Sequence, residues 1–146
     1  MSSTDFKQRI RDSFARQAVM ETMGMRLTRV ELGEVDISFS HRDDLTQQHG
    51  FLHAGVIATA LDSACGYAAF SMMSEDAAVL SIEFKTNMLR PARGKEFVAR
   101  ARVVKAGRNV SFCEASAFSI EGDSETLIAT MQGTMMSVRG RSDVIE

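Results

Sequence analysis

Cysteine is scarce in this chain. Only Cys65 and Cys113 are present, one inside an apolar helix-like pattern and one inside a strand-like pattern. That excludes a disulfide-stapled framework and leaves two small buried thiols. Proline is scarcer still: the single one, Pro91, falls where it closes a strand rather than interrupting one. The first residues, MSSTDFKQRIR, lack the long apolar core of a secretory signal, so a cytoplasmic setting is the expectation. There is no excess of positive charge, since the formal net charge is -2 and the sequence pI about 5.9, which argues against a general nucleic-acid binder. Internal repeats and low-complexity segments are missing too. What remains is 146 residues with 45% hydrophobic content, one domain over 1–146, large enough to withdraw roughly 70% of its unfolded surface from water.

The stretch that organises the rest is QQHGFLHAGVIATALDSACGYAAFSMM, from Gln47 to Met73. A polar, glycine-containing loop opens into the most apolar helix-compatible segment of the chain. Asp62 sits in its middle, relieved only by Thr59, Ser63 and Ser71. A helix apolar all round is buried on all sides, and an ionised carboxylate is rarely buried unless something pairs with it or uses it. Three readings compete. Asp62 marks a wet edge of the helix, or the segment spans a membrane, or the carboxylate is functional. The span fails because Asp at a bilayer centre costs about 2.5–3.5 kcal/mol and the apolar run barely reaches the roughly 20 residues required. The functional reading gains from the helix start. Directly after His53, the first backbone N–H groups near Ala54 and Gly55 point outward as an anion site, so an oxyanion hole and a base would face one substrate.

In order, the chain begins with an amphipathic helix within residues 1–24, roughly Asp5 to Met23, with Thr4 as N-cap and Gly24 as its stop. Phe6, Ile10, Phe14 and Met20 share one stripe. Periodicity then switches to two, with Met25 and Leu27, a turn at Leu32–Gly33, and Val35, Ile37 and Phe39 forming a hairpin. The polar run HRDDLTQQHG is a loop before the central helix. Downstream, strands are predicted over Val79–Met88, around Phe97–Val104, over Val110–Ile120 and over Leu127–Val138, with turns near Arg93–Gly94, Gly107 and Gly122. The tail over 140–146 is predicted loose. The last three of these strands form a meander, and together with the hairpin and the central helix they give an α+β domain with one curved antiparallel sheet.

At this point the residues resemble the hotdog-fold acyl-CoA thioesterases, in the phenylacetic-acid-degradation branch. That family's pattern is an amide residue, a His-Gly-Gly at the helix start and an acidic residue on the helix. Here it reads Gln47 or Gln48, then His53-Ala54-Gly55, then Asp62. A hydroxyl residue on the next strand corresponds to Ser81 within SIEFKTNMLRPA. The resemblance covers about Met25 to Val138, and its order and spacing carry it more than any one residue. It departs at Ala54, where glycine is usual, and at the glutamines, where asparagine is usual. Alanine keeps the N–H and suffers only if that position needs positive φ. The resemblance implies a curved sheet wrapped around a central helix, acyl-CoA as substrate with coenzyme A part of it and no separate cofactor, and a homodimer or homotetramer with sites shared across the interface.

The chemistry of the residues agrees. Asp62 serves as general base on water or as nucleophile forming an anhydride. Ala54 and Gly55 N–H groups stabilise the oxyanion, aided by the helix dipole. Gln47 or Gln48 and Ser81 position water or thioester, and His53 shapes the loop or donates to the carbonyl. Between Lys85 and Arg108 lie eight basic residues against one acidic residue, Glu96. Most alternate onto a solvated face, as with Arg100 and Arg102. Arg90, Arg93 and Arg108, at strand ends, are candidates for the phosphates of coenzyme A. Nucleic acid is disfavoured because Phe97 is the sole aromatic there. A zinc reading of His49 and His53, with His41, Asp43 and Asp44 nearby, lacks a third ligand at a recognised spacing. A Cys65–His53 nucleophile pair fails on distance, since twelve helical residues span about 18 Å. The other readings are a non-catalytic acyl-CoA-binding or regulatory protein of the same fold, and, less favoured, an acyl dehydratase.

Overall fold

The computed structural model describes residues 3–146, with side chains from Asp5 onward. Helix α1 (Ser3–Arg16) is followed by a short α2 (Ala18–Thr22), then β1 (Arg26–Glu31), β2 (Glu34–Ser40), a 3-10 turn at Asp43–Leu45, α3 (Ala54–Phe70), β3 (Ala78–Met88), β4 (Glu96–Ala106), β5 (Val110–Glu121) and β6 (Ser124–Val138). The six strands form one antiparallel sheet in the order β1-β2-β4-β5-β6-β3. The α+β expectation of one curved sheet around a central helix, the hotdog fold, holds. No helix among the described residues is long and apolar enough to cross a membrane.

Helix α3 is the axis of the core. Ile57, Leu61, Ala64, Cys65, Ala68 and Phe70 are buried on it, and β2, β4, β5, β6 and β3 all pack against it. Small residues let the sheet come close. At Gly133 of β6 an added Cβ would stand 3.8 Å from the Cβ of Cys65 and 3.0 Å from the Met135 methyl. Phe39 and Phe97, side by side on β2 and β4, stack with centroids 5.4 Å apart and close one end of the core. The β1–β2 turn needs Gly33, whose φ is 76°; its N–H donates to Ser71 Oγ at 2.7 Å, tying the turn to the end of α3. That end is held a second time. Arg9 of α1 donates to the carbonyls of Phe70, Met73 and Ser74 at 2.8–3.0 Å and lies over the Phe70 ring, a cation at the negative end of the helix dipole.

Two expectations need correction. The single N-terminal helix over Asp5–Met23 is two helices, broken at Gln17, whose φ of -80° and ψ of 94° are extended. Met20 of the second helix is buried in the same core as Phe6 and Ile10 of the first. Gly24, with φ 67°, ends the second helix as expected, while the Thr4 N-cap falls outside the residues whose side chains are described. The last strand also begins earlier than predicted, at Ser124 rather than Leu127, because the β5–β6 hairpin pairs down to Glu121 and Ser124. The segment after Gly140 has neither helix nor strand, yet Glu146 accepts hydrogen bonds from Ser13 Oγ and the Val79 N–H.

Placement of β3 matters most for the site. It follows α3 in sequence but crosses to the far edge, where it pairs only with β6. A bulge between Ser81 and Glu83 resets its alternation, so Ser81, opposite Met135, and Phe84, opposite Gly133, both face the helix side. Along the same strand apolar side chains stand in solvent: Ile82, Phe84 and Met88 are 52%, 45% and 45% exposed.

Candidate active site

The loop before α3 and the helix start are built around His53. Its backbone is extended, and its Nδ1 accepts the Gly55 N–H at 2.8 Å, so His53 is the N-cap that stops the helix from fraying. Accepting at Nδ1 leaves the ring hydrogen on Nε2. The His53 carbonyl takes the Val56 and Ile57 N–H groups. Of the first-turn donors only the Ala54 N–H finds no partner among the described residues. The oxyanion expectation thus narrows from two donors to one, with Gly55 engaged by the cap. Among the described residues no non-glycine residue has positive φ, so alanine at position 54 is unstrained.

Gln47 and Gln48 both line a cavity of about 510 Å³ at this helix end. Gln47 Oε1 accepts the His49 N–H, and its backbone brackets the loop through Phe51 and Gly50; its amide is fixed with the NH₂ group left to give. Gln48 is exposed. The remaining wall is apolar, with Phe51, Leu52, Ile57, Met88, Leu89 and Ile128. Arg90 lines the same cavity and donates to the Leu127 carbonyl at 2.7 Å. Arg93 stacks over the Phe51 ring, 4.7 Å from its centroid. Arg108 is not brought to them. Asn109, next to it, pairs with Ser137 while Arg90 pairs with Ile128, and nine residues of one strand span roughly 30 Å. Arg100 and Arg102 lie in ion pairs with Glu125 and Glu114, the solvated fate expected of them.

Asp62 is half-buried, and Ser81 Oγ donates to its Oδ1 at 2.7 Å. Burial raises its pKa above the ordinary carboxylate value, and the Ser81 hydrogen bond opposes that rise. The two residues predicted from separate elements thus meet. Asp62 and Ala54 do not. Eight helical residues separate them, about 12 Å along the axis, too far for both to serve one carbonyl in one chain. The cysteines are free and buried; burial pushes both thiols up, Cys113 to about 12, which leaves no thiolate for attack. Among the described residues no three His, Cys, Asp or Glu side chains gather as metal ligands would. The sequence reading missed Gln17 and Glu146, which line a small chamber together with Asp62. No spacing rule finds them, because only the break between α1 and α2 and the path of the tail bring them there.

The sequence profile of the thioesterase superfamily matches residues 49–126, the span that holds the helix start, Asp62 and Ser81. The structure is similar to a thioesterase family protein from Silicibacter pomeroyi, with 52% identity over 92% of this chain and 99% of that one and a TM-score of 0.90. It shares its fold with the PaaI protein of the phenylacetic acid degradation operon of E. coli, at 17% identity, 94% and 96% coverage and a TM-score of 0.85. The medium/long-chain acyl-CoA thioesterase YigI of Escherichia coli is 27% identical over 78% of this chain and 81% of its own.

Proposed function

This chain belongs to the thioesterase superfamily and is a thioester hydrolase, and from that premise we propose that its substrate is an acyl-CoA, hydrolysed to the free acid and coenzyme A with Asp62 as general base. The observation that carries this reading is the Ser81–Asp62 pair: a carboxylate in an apolar helix, oriented by a hydroxyl at 2.7 Å and raised in proton affinity by burial. Raised basicity is what proton abstraction from water asks of a carboxylate. The chamber of about 110 Å³ beside Asp62, with room for water, favours the base role over direct attack.

The reacting carbonyl rests on the Ala54 N–H, with the Gln47 NH₂ beside it, and the acyl group enters the apolar cavity at the helix start. Water adds to the carbonyl carbon as its proton passes to Asp62. The tetrahedral oxyanion collapses, the C–S bond breaks, and Asp62 returns the proton to sulfur. Since Ala54 and Asp62 stand about 12 Å apart on one helix, a complete site takes Asp62 from one subunit and Ala54 of the partner subunit. The free edge of β3 with its bare Ile82, Phe84 and Met88 is suited to join two copies edge to edge. Light scattering at micromolar concentration should therefore give at least twice the 16.1 kDa chain mass. A monomer mass would remove the shared site. A screen of acyl-CoA thioesters read by thiol release tests the activity, and silence across all chain lengths would leave a binding protein instead.

Arg90 and Arg93, at the cavity mouth, hold the phosphates of coenzyme A in this reading. Their replacement by alanine should raise KM for acyl-CoA several-fold or more while leaving a short thioester without the nucleotide nearly unaffected, because binding remote from the reacting bond is lost. Equal losses on both substrates assign the two arginines to the fold. Arg108→Ala belongs in the same series. It affects KM if a second copy carries Arg108 to the same phosphates.

A further inference from the structure

Glycine in the interior of a helix is a cost, because it orders a freer backbone and exposes it to water. Helix α3 carries one there, Gly66. Elsewhere in the chain the glycines have reasons within the fold. Six of the ten have positive φ, and at Gly55, Gly107 and Gly133 an added Cβ would stand within 3.1 Å of another atom of the chain. Gly66 has neither reason. It sits in regular helix, and a Cβ built on it would meet nothing within 4 Å. The close packing that small residues give the rest of α3 against the sheet therefore does not account for it. The position is partly exposed and lines the chamber of about 110 Å³ between α3 and the start of β3, together with Asp62, Tyr67, Ser81 and Glu146.

What that open side adjoins is the carboxylate. Gly66 follows Asp62 by four residues, so the two share one face of the helix. Side chains on a helix lean back toward its N-terminus and cover the turn before their own Cα. A side chain longer than a methyl group at position 66 would therefore lie over Asp62. Ser81 holds Oδ1 of that carboxylate, and Oδ2 has no partner among the described residues. The chamber volume is more than one water requires. Resting on the general-base reading, we infer that position 66 is glycine in order to leave Asp62 uncovered, so that the attacking water reaches the carboxylate from this chamber. Gly66 exchanges no proton and touches no reacting atom. It acts through Asp62, by the side chain it lacks.

The test uses the full chain and two replacements that differ in reach. Gly66→Ala removes the helix cost and adds only the Cβ for which there is room. It should raise the thermal midpoint by a few °C and keep kcat for acyl-CoA close to the parent value. Gly66→Leu is nearly as good a helix former but reaches back over Asp62. Its kcat should fall on the order of 10²-fold, the scale of losing general-base catalysis. Its KM and its mass by light scattering should match the parent, with the thermal midpoint no lower. Parent kcat in Gly66→Leu overturns the inference. A raised KM at parent kcat overturns it too, since the space then belongs to the substrate rather than to water. So does a lower midpoint in either variant, which makes the glycine a requirement of the fold, or a lower mass in Gly66→Leu, which makes it a contact between subunits. Asp62→Asn run alongside separates the two claims. If Asp62→Asn keeps the parent rate, the general-base reading has failed; if it is inactive and Gly66→Leu is not impaired, only Gly66 is misassigned.

Discussion

Replacing Ala54 with proline should lower kcat for acyl-CoA on the order of 10²–10³-fold, the loss typical of one oxyanion donor, without unfolding the protein. Ala54 is the first residue of α3 and its N–H has no intrachain partner among the described residues. Proline is favoured at that position, since the N–H it lacks is one the helix does not use. The preceding residue is compatible as well. His53 has φ -60° and ψ 140°, within the extended region that a residue before proline adopts. The substitution is therefore close to a deletion of one hydrogen-bond donor. Ala54→Gly, which keeps the N–H, should keep the rate. Parent activity in Ala54→Pro would shift the oxyanion role away from this group.

Asp62→Asn should cost kcat on the order of 10²-fold or more, the low end for loss of a general base, with the fold intact. The amide preserves the size of the side chain and can still accept from Ser81, but has no basicity. Its effect on stability carries a sign. The folded-state pKa of Asp62 is raised by burial, so the native state holds this proton more tightly than the unfolded state does. The contribution of Asp62 to stability is then most favourable below the unfolded carboxylate pKa and falls as pH rises through the raised folded value. Asp62→Asn should accordingly gain thermal midpoint relative to the parent as pH rises from acidic to neutral. A variant that unfolds would instead make Asp62 structural. Oxygen-18 adds the chemistry: in a single turnover in labelled water the label should enter the product acid, while label in the Asp62 peptide would mean an anhydride. Mixing the two inactive variants tests the shared site. A mixed dimer carries one site with Asp62 and the Ala54 N–H both intact, so random exchange should restore about a quarter of the parent rate. Sites built within one chain would restore none.

Much of this was legible because the chemistry of the site lies on residues whose types are unusual for their place. Asp62 stands out in an apolar helix, and His53 stands just before that helix begins. The strands could be read from a period of two and from the turns at Gly33, Gly94 and Gly122, each with positive φ. What stayed hidden is non-local. No pattern in Val79–Met88 says that β3 crosses to pair with β6, since adjacency in a sheet depends on which edge is open when the strand arrives. The Gly55 N–H looked free because helix starts have free donors in general; that His53 folds back onto it depends on one side-chain rotamer. Gln17 was hidden by a pattern that continues through it: Phe14 and Met20 flank a break that apolar spacing alone does not report.

The crossing of β3 also sets when the site comes into being during synthesis. Ser81 lies against Met135, 54 residues further along the chain, and at about 5–20 residues per second a ribosome needs several seconds to make that stretch. Until β6 emerges, β3 has no strand to pair with, its apolar side chains are uncovered, and the hydroxyl that orients Asp62 has no fixed place. A nascent chain arrested within β5 would hold the central helix and most of the sheet and yet expose a sticky, unpaired strand, the kind of species that chaperones retain.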